Sequence, residues 1–308
     1  MNYISDNLEK KKETIFSLVS FFDMFDFPLT GFEVWKYAGV KCALDYVDEV
    51  LKLMLAEKRL EFVNGFYFLA GRKDTIKIRL QRYNYAERKF ARVFMVSQIF
   101  KLIPWVKLVA VGNLIGAGNL RDGSDIDIFI VSQKNRLWLT RFFSTVLMKL
   151  ARLRPKPGDE KDKICLSFYV SENNLNLENL RLNEADLYFV YWLACLTPIY
   201  DTDNTYEKLI ANNLWLKNIL PNWKAEKKGT RHEVKTSNCG VYKKLFDFIF
   251  GWLEPIVMKW QIKMLPAKIK ERMNQDTCVV VGEDIIKLHT NDRRAEFLEK
   301  YKGSLDVS

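Results

Sequence analysis

Residues 111–131 read VGNLIGAGNLRDGSDIDIFIV. An apolar strand runs into a glycine-rich turn, and a second apolar strand opens with two aspartates one residue apart, Asp125 and Asp127. Strand residues two apart share a face, so the two carboxylates project together while Ile126 and Ile128 turn the other way, into a core. Side by side they repel and, unless they cap a solvated turn, they need a cation between them. Oxygen ligands with no His or Cys nearby in the chain favour Mg²⁺ or Mn²⁺. Mg²⁺ completes its shell with water and substrate phosphates, which points to a nucleotide. Upstream, the strand 106–111 ends at Gly112-Asn113, where small residues let backbone N–H groups approach phosphate oxygens. Ser124 adds a hydroxyl.

Working outward, the chain of 308 residues is long enough for two or three compact units, and 48% apolar residues suffice for proper cores. The start, MNYISDNLEKKKE, has no apolar segment behind a basic one, and no later stretch stays apolar for the length of a membrane span. Five scattered cysteines without a CxxC pair fit a reducing cytoplasm, and two histidines make a His/Cys zinc site improbable. The net charge of +10 fits either a phosphate-bearing partner or a basic, solvated surface.

Before the central stretch, the apolar spacing predicts three helices. Thr30 and Glu33 form a capping box at the second, and Asn64-Gly65 marks a hairpin between two β-prone runs. Three helices and a hairpin predict a winged helix over 1–72. The third helix carries Asp45, Asp48 and Glu49 where a duplex reader would face phosphate, which argues against duplex DNA and for a structural or partner-binding use. The basic flank of Arg72, Lys73, Lys77, Arg79, Arg82, Arg88, Lys89 and Arg92 keeps phosphate contact open. A long helix joins this part to the core through 73–104. After the central stretch come a helix from about Arg136 to Leu153, a strand 164–170, and mainly helices to about residue 275. The amphipathic, Trp-bearing segment 246–264 reads as a packing helix before a membrane-surface one. A small hairpin near 278–286 has no assigned role.

Val111-Gly112-Asn113, followed by Ser124-Asp125-Ile126-Asp127-Ile128, resembles the signature of the DNA polymerase beta superfamily of nucleotidyltransferases. The wider layout, with Arg136-Leu137-Trp138-Leu139-Thr140-Arg141 and Lys163-Ile164-Cys165-Leu166, is similar to bacterial nucleotidyltransferase-domain proteins of unassigned substrate. The resemblance implies an α+β chain: an N-terminal winged helix, a small mixed-sheet nucleotidyltransferase core over 105–200, and a mainly helical region over 201–308. It implies that Asp125 and Asp127 are catalytic and hold Mg²⁺ or Mn²⁺ on a nucleoside triphosphate such as ATP. Gly112 and Asn113 would bind its phosphates. Arg136 and Arg141 are implied as phosphate partners, with a solvated or ion-paired helix face as the alternative. A nucleoside monophosphate would pass to a small molecule, RNA or protein, and pyrophosphate would leave.

Two residues depart from the family pattern. Asn113 replaces the usual Ser or Gly, and no third acid stands on strand 164–170. There Ile164, Leu166, Phe168 and Val170 are expected in the core, with Cys165, Ser167 and Tyr169 on the other side. Asp162, just before the strand, is a candidate substitute. Without that acid, the alternative is a catalytically weak NTP-binding or partner-binding protein on the same scaffold.

Overall fold

The computed structural model describes residues 2–112, 119–225, 233–235 and 240–306. In chain order the elements are α1 (Asn2–Asp23), α2 (Gly31–Tyr37), α3 (Leu44–Ala56), β1 (Leu60–Val63), β2 (Phe66–Leu69), α4 (Asp74–Phe100), β3 (Val106–Val111), β4 (Ile126–Ser132), α5 (Leu137–Leu150) and β5 (Ile164–Ser171). There follow α6 (Leu187–Ala194), β6 (Thr197–Asp201), α7 (Thr205–Ala211), α8 (Trp215–Ile219), α9 (Gly240–Phe250), α10 (Glu254–Lys263), α11 (Ala267–Arg272), β7 (Val279–Val281), β8 (Ile285–Leu288) and α12 (Arg294–Asp306). The chain is thus mixed α and β, and its main sheet is mixed in direction. It divides into two compact units, 1–84 with 214–225 and 295–308, and 85–213 with 226–294.

In the first unit, α1, α2 and α3 bury Ile15, Phe22, Val34, Val47, Leu51 and Met54 beside the hairpin β1–β2. Thr30 accepts from the Glu33 amide while Glu33 accepts from the Thr30 amide, the expected capping box. The hairpin turns at Asn64 and Gly65, both at positive φ, as a tight antiparallel turn requires. Glu33 also receives both guanidinium nitrogens of Arg79, at 2.8 Å each. Arg82 pairs with Asp26 at 2.9 Å, and Arg72 with Asp23 and Asp26 at 3.1 and 3.0 Å. These members of the basic flank hold the unit together.

In the second unit, six strands run in the order β6-β3-β4-β5-β8-β7. Among the strands of the described residues, β4 and β5 are the one parallel pair, and α5 is the crossover between them. The sheet takes two strands from 279–288, well beyond the 105–200 span expected for the core, and the hairpin near the end finds its role as the sheet's far edge. A further strand, β6, stands in the stretch that the sequence reads as mainly helices. It pairs along one edge with β3, and on its other edge Tyr200 makes only an isolated parallel bridge with Val234, an edge position in which Pro198 is tolerated.

One sheet face is apolar and covered. Val109, Val111, Ile126, Ile128 and Ile130 share a cluster with Phe90, Val93 and Phe100 of α4 and with Leu137, Trp138 and Met148 of α5. On the other face, Phe129 and Phe168 pack against Trp192 of α6, with Phe168 and Phe189 stacked on its indole at 5.2 and 5.6 Å. That second face carries the carboxylates.

Candidate functional site

The antiparallel pairing of β3 with β4 sets Val111 opposite Ile128, and the Gly112 amide donates to the Asp127 carbonyl at 3.0 Å. The glycine turn therefore starts beside the aspartate pair. Gly112 itself has a structural reason to be glycine: the Trp192 indole donates to its carbonyl, and a Cβ would lie 2.8 Å from the indole ring. Asn113 lies outside the described residues.

The loop entering β4 is pinned by α4. Arg88 pairs with Asp122 at 2.7 Å and with Asp162 at 2.9 Å, while the fully buried Lys89 pairs with Asp162 at 3.1 Å and donates to the Ser124 carbonyl. Burial works against the Asp162 charge, but Arg88 and Lys89 outweigh it and hold the carboxyl below its usual range. Asp162 is thereby spent on the loop, which answers its candidacy as substitute acid. Ser124 donates its hydroxyl to the Arg121 carbonyl at 3.1 Å, closing a turn.

Beyond this loop, Asp125 and Asp127 come together with a third group that the sequence reading excluded. Parallel pairing sets Asp127 opposite Cys165, and one ligand atom each from Asp125, Asp127 and Cys165 lie within 4.8 Å of one another. The premise that no cysteine is near holds along the chain but fails in space. Burial and the charge of Asp125 raise the Asp127 carboxyl to about 7, and a hydrogen bond with the Cys165 thiol offsets only part of this. Burial, then Glu160, also raises Asp125, and burial beside both aspartates raises the Cys165 thiol well above its ordinary value. Carboxylates crowded in this way fit a divalent cation, and the sulfur shifts the preference from Mg²⁺ toward the softer Mn²⁺ or Zn²⁺.

From Cys165 a polar path leads across the sheet. The thiol donates to Ser167 Oγ at 3.3 Å, and Ser167 Oγ lies 2.7 Å from Nε2 of His289, just beyond β8. Burial, and then Lys287, lower His289 to about 4, so the imidazole is neutral near pH 7 and its tautomer sets whether it or Ser167 donates. Next to it Lys287, lowered to about 8 chiefly by burial, pairs with Asp292 at 3.2 Å. Arg294 binds Asp292 at 2.9 Å and Asp186 at 2.8 Å and also donates to the Leu180 carbonyl and to Thr277. This cluster is paired internally and ties α6 to the end of the sheet.

The faces of β5 differ from the expected alternation. Asp127 pairs with Cys165 but Phe129 with Phe168, so β5 carries one extra residue, a bulge. Past it the pattern inverts: Phe168 joins Trp192 on the aspartate face, and Tyr169 enters the core cluster and hydrogen-bonds Ser144 of α5 at 2.8 Å.

Arg136 and Arg141 have other partners. Arg136 follows the C-terminal end of β4, whereas the aspartates stand at its N-terminal end, and its guanidinium grips Asp247 at 2.6 and 3.2 Å. Arg141 donates to Gln261, whose amide donates to the Trp138 carbonyl at 2.8 Å. Arg136 thus joins the start of α5 to α9 through an ion pair, and Arg141 joins α5 to α10 through a hydrogen bond to a neutral amide. Cys165, Ser167 and His289 are the site residues that the sequence reading missed. The alternation of β5 did place Cys165 and Ser167 away from the core, but nothing local ties His289 to them. No family model, curated protein or solved structure matches this chain.

Proposed function

We propose that the second unit carries a nucleotidyltransferase site of the DNA polymerase beta type. It would transfer a nucleoside monophosphate from an NTP to a small-molecule, RNA or protein acceptor, with pyrophosphate as the second product. The observation that carries this reading is the juxtaposition of Gly112 and Asp127 through one backbone hydrogen bond, with Asp125 and Asp127 on a common face. The glycine turn would offer donors to the triphosphate, and Asp125 and Asp127 would hold Mg²⁺ or, with Cys165 as a third ligand, Mn²⁺. Such an ion neutralises phosphate charge and the leaving pyrophosphate. The three helices and hairpin of the first unit fit the winged helix of the same reading, in a partner-binding use and not on duplex DNA.

No carboxylate of β5 is available to take the acceptor's proton; Cys165 stands opposite Asp127 instead. His289, reached through Ser167, takes that role in this reading. A base with a pKa of about 4 is weak near neutrality, where a good general base contributes about two to four orders of magnitude in rate. Cys165 is also the specific observation that favours a second reading, NTP binding with little or no turnover.

Calorimetric titration of ATP, GTP, CTP and UTP with Mg²⁺, and again with Mn²⁺, separates these readings. Wild type should bind one triphosphate at least tenfold more tightly than the Asp125→Asn, Asp127→Asn double variant. Pyrophosphate release in the presence of acceptor supports transfer, and binding without release supports the second reading. Equal affinity of wild type and a folded double variant would refute both.

A further inference from the structure

The segment that begins at α9 is apolar on two sides, and only one of them is packed. Phe246 and Phe250 point inward, Phe246 tilted against Trp105 and both edge-on to Phe143. Outward lie Val241, Leu245 and Phe248 of α9, Trp252 of the 3-10 turn Gly251–Leu253 that follows it, and Ile256 and Trp260 of α10. All six are exposed, Phe248 at 84% and Trp252 at 66%. The packing helix expected from the sequence is therefore half of the element's role. A run of exposed aromatic and aliphatic side chains of this length marks a surface that something covers.

The charges of the same segment say what covers it. Residues 240–270 hold six lysines and two acids. Both acids turn inward: Asp247 binds Arg136 and Trp105, and Glu254 accepts from the Trp138 and Leu139 amides at the start of α5. Lys244, Lys259, Lys263 and Lys268 stay exposed among the outward apolar residues. A second copy of this chain would bring lysine against lysine. An anionic bilayer matches both components, because the apolar stripe enters the acyl boundary, tryptophans favour the headgroup level, and lysines reach the phosphates.

We propose that the outward face of α9 and α10 docks on the surface of a membrane rich in anionic phospholipid. The element lies on the surface without crossing it, since no helix among the described residues is long and apolar enough to span a bilayer. The proposal is independent of the nucleotide site.

The test is sedimentation of the full chain with vesicles of phosphatidylcholine alone and of phosphatidylcholine with phosphatidylglycerol, at low and high salt. The expected result is binding to the mixed vesicles that weakens with salt and is at least tenfold weaker to phosphatidylcholine alone. Phe248→Ser with Trp252→Ser should lower binding to the mixed vesicles at least tenfold. Each of Lys259→Gln and Lys263→Gln should lower it about fivefold. These exposed substitutions should leave thermal unfolding unchanged, so loss of binding is not loss of fold. Absence of binding by wild type would overturn the proposal, as would undiminished binding by the Ser double variant. A concentration-dependent dimer abolished by that variant, with no vesicle binding, would assign the face to a second copy.

Discussion

At the residue scale, Gly112 and Trp192 make one fitted contact. The indole is held between Phe168 and Phe189, so it cannot yield to a new methyl group only 2.8 Å from its ring. Gly112→Ala should cost about 1–3 kcal/mol of stability in denaturant unfolding. Trp192→Phe opens space for that methyl, so the double variant should be less destabilised than the sum of the singles, and strict additivity would refute the contact. Asp127 and His289 offer a second test, because they act in one pH window with opposite sign. The unfolded chain releases the Asp127 proton near 3.8 and the fold holds it to about 7, so this contribution fades as pH rises between them. For His289 the unfolded chain gains its proton near 6.5 and the fold resists to about 4, so that contribution fades as pH falls. Each is on the order of 3 kcal/mol. Relative to wild type, Asp127→Asn should lose more stability as pH falls from 6.5 to 4, and His289→Gln should lose more as pH rises from 4 to 7. Melting curves across this range that change in the same direction for both variants would refute the assignment.

At the element scale, α5 shows how a helix start can be completed from far away in the chain. Arg136 makes no side-chain cap there, and Glu254 supplies the acceptors instead, at 2.7 and 2.9 Å from the Trp138 and Leu139 amides. Glu254→Ala should therefore cost about 1–2 kcal/mol, and urea unfolding that leaves the midpoint in place would refute this cap. Elements whose cause is local were legible from the chain. The box of Thr30 and Glu33, the Asn64-Gly65 turn and the strands around the double aspartate each depend on neighbours a few residues away. What depended on pairing was not legible. The bulge that inverts β5 after Cys165 leaves no mark in an alternating run, because both of its faces are apolar past that point. The hairpin β7–β8 could be drawn, but not its place beside β5, and that place brings His289 to Ser167. The carboxylate pair was thus readable as a pair, while its third member and its link to an imidazole arise from strand order.

At the scale of the whole molecule, the cations behind the charge of +10 include two groups with different work. Arg79 is nearly buried, grips Glu33 with two nitrogens and lies 4.1 Å above the Phe27 ring. Arg72, Arg82, Arg88 and Lys89 are likewise committed to carboxylates of their own units. The stretch 240–270 is different: six lysines less two acids give +4 of the total, and its acids face inward. Polyanion affinity scales with the exposed cations that displace counterions, so it should follow Lys244, Lys259, Lys263 and Lys268 of this stretch. On heparin, Lys259→Gln with Lys263→Gln should elute at clearly lower salt than wild type, with the same melting temperature. Arg79→Ala should leave Glu33 half-buried without its partner and lower stability by about 3 kcal/mol, while a folded fraction keeps the wild-type elution position. If Arg79→Ala shifted elution as far as the lysine pair does, the basic flank would be a polyanion surface after all, and the division of charge argued here would fall.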